Sequence, residues 1–213
     1  MTKSENDDKM KIKDVDKLEQ AKKRDKKIYI TDIAISKVPL IHIEGLNEEQ
    51  NEIFQQKHKE LLRMAMTKNN SNEVANVFSL DFAHDIFHFG NEKVVNLNQH
   101  PTIADLIMNS NDNSVFVMHN HPSTQKFSYS DLGVLLANNS IFGISVVSNT
   151  GETQVLYKAI NYFKPNVIEL LKDIRTKHYS NGSLDEIEVV NEFLKQCFDV
   201  GIVYKKRGGT NGK

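Results

Sequence analysis

His119 and His121 stand one residue apart at the end of the apolar, β-prone run Val115-Phe116-Val117-Met118, and Pro122 follows at once. Side chains at i and i+2 of a strand project from one face, so the two imidazoles can be offered to a single point while Asn120 turns away. Pro122 takes the chain out of strand pairing and starts a loop. Beyond it, Ser128 is suited to cap a helix, and Asp131 falls in the first turn, from which its carboxylate can swing back towards the imidazoles. Two neutral histidines and one carboxylate form a three-ligand zinc set with a fourth position open, the pattern of catalytic zinc, and zinc makes water nucleophilic near neutral pH. The same spacing also fits plainer roles: His-x-His as polar decoration of a strand end, and Ser-x-x-Asp as a capping motif. Spacing alone leaves both readings open.

The elements that would position these groups follow from periodicity and punctuation. Ile28-Tyr29-Ile30 reads as the first strand and Ile33-Ala34-Ile35 as a second short one. Asn47-Glu48-Glu49 opens a helix with Ile53, Phe54, Leu61, Leu62 and Ala65 at helical spacing, closed by the turn-rich run from Lys68 to Asn72. Strands are expected from Glu73 to Leu80, Asp85 to Phe89 and Lys93 to Leu97. Pro101 starts a helix through Ile103, Leu106, Ile107 and Met108. After the Val115 to Met118 strand and the histidine loop, a helix from Ser128 or Ser130 runs through Leu132, Val134, Leu135 and Leu136. Ile141 to Val147 and Gln154 to Tyr157 read as a hairpin around Asn149-Thr150-Gly151. Helices over about 161–178 and 184–198 complete the ordered part. This order of elements predicts an α/β fold, a mixed β-sheet with helices packed on it.

Composition narrows the class. The 213 residues, 39% hydrophobic and 26% charged, suit one domain with extensions. A net charge of −1 argues against nucleic acid and acidic membranes as partners. No apolar run reaches membrane-span length and no signal-peptide core opens the chain, so a soluble protein of the cytoplasm is expected. The single cysteine, Cys197, suits a reducing compartment and reads as a buried structural thiol. It also excludes the paired cysteines of a deaminase zinc site. His84-Asp85-Ile86-Phe87-His88 is a near miss to the zincin motif, but its segment is β-prone, Asp85 replaces the glutamate, and no third ligand follows. His42, His58, His100 and His178 read as ordinary residues without partners. Residues 1–27 are a charged extension, and the stretch from Lys205 to Lys213 is a basic, glycine-rich tail.

Taken together, His119-Asn120-His121-Pro122-Ser123 and Ser128-Tyr129-Ser130-Asp131 resemble the signature of the JAMM (MPN+, JAB) zinc metallopeptidases, in its prokaryotic RadC-like form. That family also uses an upstream glutamate at the head of a strand. Glu73, seven positions before Leu80-Asp81, is similar to that pattern, and the elements occur in the family's order over roughly residues 47–158. Two departures stand out. The spacer between His121 and Ser128 is one residue shorter than the family's usual one, and Val146-Val147-Ser148-Asn149 stands where RadC-like proteins often carry an aspartate-histidine pair.

The resemblance implies a JAB/MPN fold, a three-layer arrangement like that of cytidine deaminases, over residues 28–160, with helices of 161–204 packed on it. It implies zinc held by His119, His121 and Asp131, Glu73 as the general base, and Ser128 as a hydrogen-bond donor to the oxyanion. The implied activity is hydrolysis of a peptide or isopeptide bond in a protein or peptide substrate, which includes ubiquitin-like conjugates. The alternative is an interaction module that keeps the fold without turnover, linked to DNA repair or to a phage or mobile element. A full set of Glu73, His119, His121 and Asp131 favours the enzyme, because a scaffold has no need of all four.

Overall fold

The computed structural model describes residues 26–207; the charged extension expected over 1–27 lies almost wholly outside them, as do residues 208–213 of the basic tail. In chain order the elements begin with α1 (Asp32–Ser36), α2 (Glu48–Lys68), β1 (Val74–Ser79), β2 (Asp85–Phe89), a 3-10 turn at Leu97–Gln99 and α3 (Pro101–Asn109). They continue with β3 (Val115–His121), α4 (Tyr129–Ala137), β4 (Ile141–Ser148), β5 (Thr153–Lys158) and α5 (Lys164–Lys177). A small hairpin, β6 (Tyr179–Ser180) and β7 (Ser183–Leu184), leads to α6 (Glu186–Gln196), a 3-10 turn at Cys197–Val200 and β8 (Ile202–Arg207).

The chain is α/β, with a six-stranded mixed sheet ordered β2-β1-β3-β4-β5-β8. Strands β3 and β4 run parallel, joined through α4, and the other neighbours are antiparallel. The central strand is apolar on both sides because both of its faces are covered. Val115 and Val117 face a cluster that includes Ile103, Leu132, Leu135, Val190 and Phe193, so α3 to α6 pack on that side. Phe116 and Met118, on the opposite face, meet Phe54, Leu61, Leu62 and Ala65 of α2. Each such fully buried side chain contributes roughly 1.5–3 kcal/mol relative to exposure. Phe54 also stands edge-on to Phe78 and Phe116, with ring centroids 5.2 and 4.7 Å away. The same alternation carries His119 and His121 onto the α4 side of the sheet and Asn120 onto the other.

Helix α2 starts where Asn47 and Gln50 form a reciprocal capping box, and the hairpin between β4 and β5 turns at Gly151. Gly151 has φ 89°, and a Cβ there would run into the carbonyl oxygen of Ala34, so the turn and the docking of α1 both require glycine. Cys197 is buried in the core as expected, and burial pushes its thiol up to about 11.

Several expectations are corrected. Ile33-Ala34-Ile35 is helical, because the Thr31 hydroxyl caps the backbone of Ala34 and Asp32 sits in the first turn. Ile28 to Ile30 form no strand; the Ile28 N–H instead donates to the Pro122 carbonyl at 2.7 Å. Lys93 to Leu97 is not a strand either. The Asn91 side chain accepts from the backbone of Lys93 and Val94, and Asn96 accepts from Asn98, so local turns outcompete a ladder. Lys205 to Arg207 belong to β8 rather than a tail: they pair with β5, Lys206 lies 2.7 Å from Glu152, and Lys205 donates to the His42 carbonyl.

The histidines set aside as partnerless also differ. His58 is buried in α2 between the Phe54 carbonyl and the Ser145 hydroxyl, each at 2.8 Å. His178 pairs with Glu192, and His42 lies 3.5 Å from Glu48. The His100 ring meets His88 edge-on at 5.4 Å, with its Nδ1 buried and without a hydrogen-bond partner. Asp85 of the rejected zincin-like run is an ion-pair partner of Lys57 at 2.7 Å.

Candidate metal centre

The last residues of β3 and the first turn of α4 meet at the C-terminal end of that interior strand. His119 Nε2 lies 3.0 Å from His121 Nε2 and 3.2 Å from Asp131 Oδ1, and His121 Nε2 lies 3.7 Å from Asp131 Oδ2. One potential ligand atom from each of these three residues lies within 4.8 Å of those of the other two. Both imidazoles are buried. Three donors from two elements thus converge on one point, as a cation requires.

The donor chemistry fits a metal. His121 Nδ1 faces the Gln125 carbonyl at 3.3 Å; a carbonyl only accepts, so Nδ1 carries the proton and Nε2 presents its lone pair to the centre. Two imidazole nitrogens 3.0 Å apart repel unless a proton or a metal ion lies between them and the carboxylate. Burial works against the charge on His119, but the carboxylates of Asp131 and Glu73 outweigh it and raise its pKa. Burial, helped by the charge on His119, lowers His121 to about 4. Asp131 is held well below the usual carboxylate range, because the two histidines overcome the effect of its burial.

Asp131 is aimed by its own helix cap. The Ser128 N–H and hydroxyl donate to Asp131 Oδ2 at 2.6 and 2.8 Å, and the Asp131 N–H returns a bond to Ser128 Oγ at 3.1 Å. The Ser128 hydroxyl, expected to serve an oxyanion, is thus committed to the Asp131 carboxylate in this arrangement. Its hydroxyl hydrogen has one position at a time, and the carboxylate is the stronger acceptor.

Glu73 immediately precedes β1 and is buried, with its backbone tied to the turn after β2 by Glu73 N to Asn91 O and Gly90 N to Glu73 O, both at 2.9 Å. Ala75 pairs with His119 across the β1–β3 ladder, and continuing that register by two residues brings Glu73 opposite His121. Glu73 lines the same cavity of about 140 Å³ as His119, His121, Ser128 and Asp131. Burial pushes its pKa up to about 7, with the charge on His119 and a hydrogen bond from the Val95 backbone pulling down and Asp131 pushing up. A carboxylate poised near neutrality beside a candidate metal centre can both take and return a proton.

Two residues that hold this geometry escaped the sequence reading. Asn120, fully buried, accepts from the Val74 N–H at 2.7 Å and donates to the Asn72 carbonyl at 3.2 Å and to Asn149 Oδ1 at 2.8 Å. Asn149 in turn donates to the carbonyls of Ile28 and Ser71 at 2.6 and 2.9 Å, and its N–H donates to the His121 carbonyl. The pair ties the start of β1 to the C-terminal ends of β3 and β4. An asparagine between two histidines in an apolar strand was the available signal, since buried amides need partners.

Against protein-family models, curated proteins and solved structures alike, the chain shows no match. Among the described residues, no helix is long and apolar enough to cross a membrane.

Proposed function

We propose that the chain is a zinc-dependent metallopeptidase of the JAMM type, with the JAB/MPN arrangement of its α/β fold and a place in the cytoplasm. The observation that carries this reading is the convergence of His119, His121 and Asp131 on one point of a cavity that Glu73 also lines. His119, His121 and Asp131 hold the metal, which when bound supplies the Lewis acidity that makes water nucleophilic near pH 7. Glu73 takes the proton from the attacking water and passes it to the leaving amine, so one peptide bond and one water become a carboxylate and a free amine. In the metal-free chain burial pushes its pKa up to about 7, which supports a carboxyl able to hold a proton as well as to take one. Gln125 fixes the His121 tautomer through its carbonyl, and Ser128 holds the Asp131 carboxylate in place.

Commitment of the Ser128 hydroxyl to Asp131 favours one second reading, a metal-holding interaction module without turnover. Metal analysis and a base variant separate the readings. The purified protein is expected to carry zinc near one equivalent, and a His119→Ala, His121→Ala double variant to lose it; equal zinc in both moves the metal elsewhere. Glu73→Gln should keep zinc and lose hydrolysis of a peptide-library pool. Parental cleavage by that variant removes Glu73 as the base, and no cleavage by the parent supports the module.

A further inference from the structure

The cavity at the candidate centre continues past the ligands into an apolar recess. Its deep wall is Ala75 of β1, Val117 of β3 and Ile144 of β4, neighbours across three adjacent strands, with Val117 and Ile144 directly paired. Its roof is Val134 of α4, one turn beyond Asp131, with Val95 and Leu97 closing the side. The wall residues are buried, while Val134, Val95 and Leu97 are half-buried. The whole cavity, with the space between His119, His121, Asp131 and Glu73 included, is about 140 Å³, so its apolar side has room for a small side chain.

We propose that this recess is a specificity pocket for a small apolar side chain, of the size of valine or leucine, carried by the residue next to the bond that the centre cleaves. The inference rests on the metallopeptidase reading and adds the substrate class to it. Water held against Ala75, Val117 and Ile144 lacks hydrogen-bond partners, so an alkyl group displaces it favourably. Tails ending in glycine, as in ubiquitin-like conjugates, leave the recess unfilled and forgo that gain. The polar side of the centre is different: Lys27 and Glu92 border a second cavity that shares Glu73, Lys93, His121 and Gln125 with the first. A peptide chain therefore meets one greasy and one charged flank.

Two hydroxamates test this without a known substrate. Both carry the same metal-binding head, but acetohydroxamate ends in a methyl group and isovalerohydroxamate in a branched four-carbon chain. Calorimetric titration of the zinc-loaded protein should give about tenfold or greater tighter binding of the branched probe. Val134→Phe and Leu97→Phe, both at half-buried positions, fill the recess and should abolish the preference while acetohydroxamate binding and zinc content stay unchanged. Equal affinity of the parent for both probes overturns the pocket and leaves the metal centre standing. Preference retained in both filled variants overturns its location. Binding of neither probe to zinc-loaded protein overturns the centre itself, and the pocket with it.

Discussion

Replacing Asn120 with alanine tests whether the amide network, rather than the apolar strand around it, holds the candidate centre together. The change deletes three hydrogen bonds at once, to the Val74 N–H, the Asn72 carbonyl and Asn149 Oδ1. Val74 and Asn149 are buried to within 1% of full enclosure, so water cannot reach the stranded N–H and oxygen without opening the strands. An orphaned buried polar group costs about 1–3 kcal/mol, and two of them set the expected loss at about 4 kcal/mol. The missing amide volume adds a small cavity and pushes the same way. For a chain of this size that loss lowers the melting temperature by roughly 10 °C. Equilibrium urea unfolding followed by circular dichroism measures it, with Asn98→Ala at an exposed position expected to change stability by less than about 0.5 kcal/mol. Zinc affinity of Asn120→Ala should fall as well, because the C-terminal end of β3 loses its tie to β1. A loss under about 1 kcal/mol would refute the reasoning, for it would mean that the strands repack or admit water without the amide.

Two other outcomes follow from the same contacts. Ser128→Ala removes the hydroxyl that aims Asp131, so zinc affinity measured by chelator competition should drop about tenfold and stability by about 1 kcal/mol; unchanged affinity would leave Ser128 with no role in orienting the ligand. His58 is neutral and buried, with its pKa lowered from 6.5 to about 4, so the unfolded chain binds the extra proton between those values. Its contribution is intact above pH 6.5 and is lost as pH falls towards 4, in total about 3 kcal/mol of urea-measured stability. His58→Gln should flatten that part of the pH profile, and an unaltered profile would assign the acid sensitivity to other groups.

Legibility in the sequence tracked how local the physical cause was. Helix α2 was readable because its Asn47 cap and its stripe of Phe54, Leu61, Leu62 and Ala65 are short-range features. Strand β2 and helix α3 were readable for the same reason, from aromatic β-formers and from Pro101 at a first turn. Ile33 to Ile35 misled because β-branched residues suggest a strand, while one threonine cap and the docking face of Ala34 and Ile35 made a helix. Lys205 to Arg207 misled because a basic, glycine-flanked end resembles a loose tail, whereas a vacant ladder on β5 paired it.

The sequence by itself determined that two imidazoles share one strand face and that a carboxylate follows them in the first turn of a helix, since both facts depend only on backbone period. Tertiary structure decided the rest. The register of β1 against β3 brings Glu73 across from His121, and Asn120 finds Val74, Asn72 and Asn149 through contacts that span up to 48 positions of the chain. Packing of α4 over three strands leaves apolar residues lining the cavity beside the candidate metal centre. Period belongs to the chain, whereas register, enclosure and empty space belong to surfaces that meet only after folding.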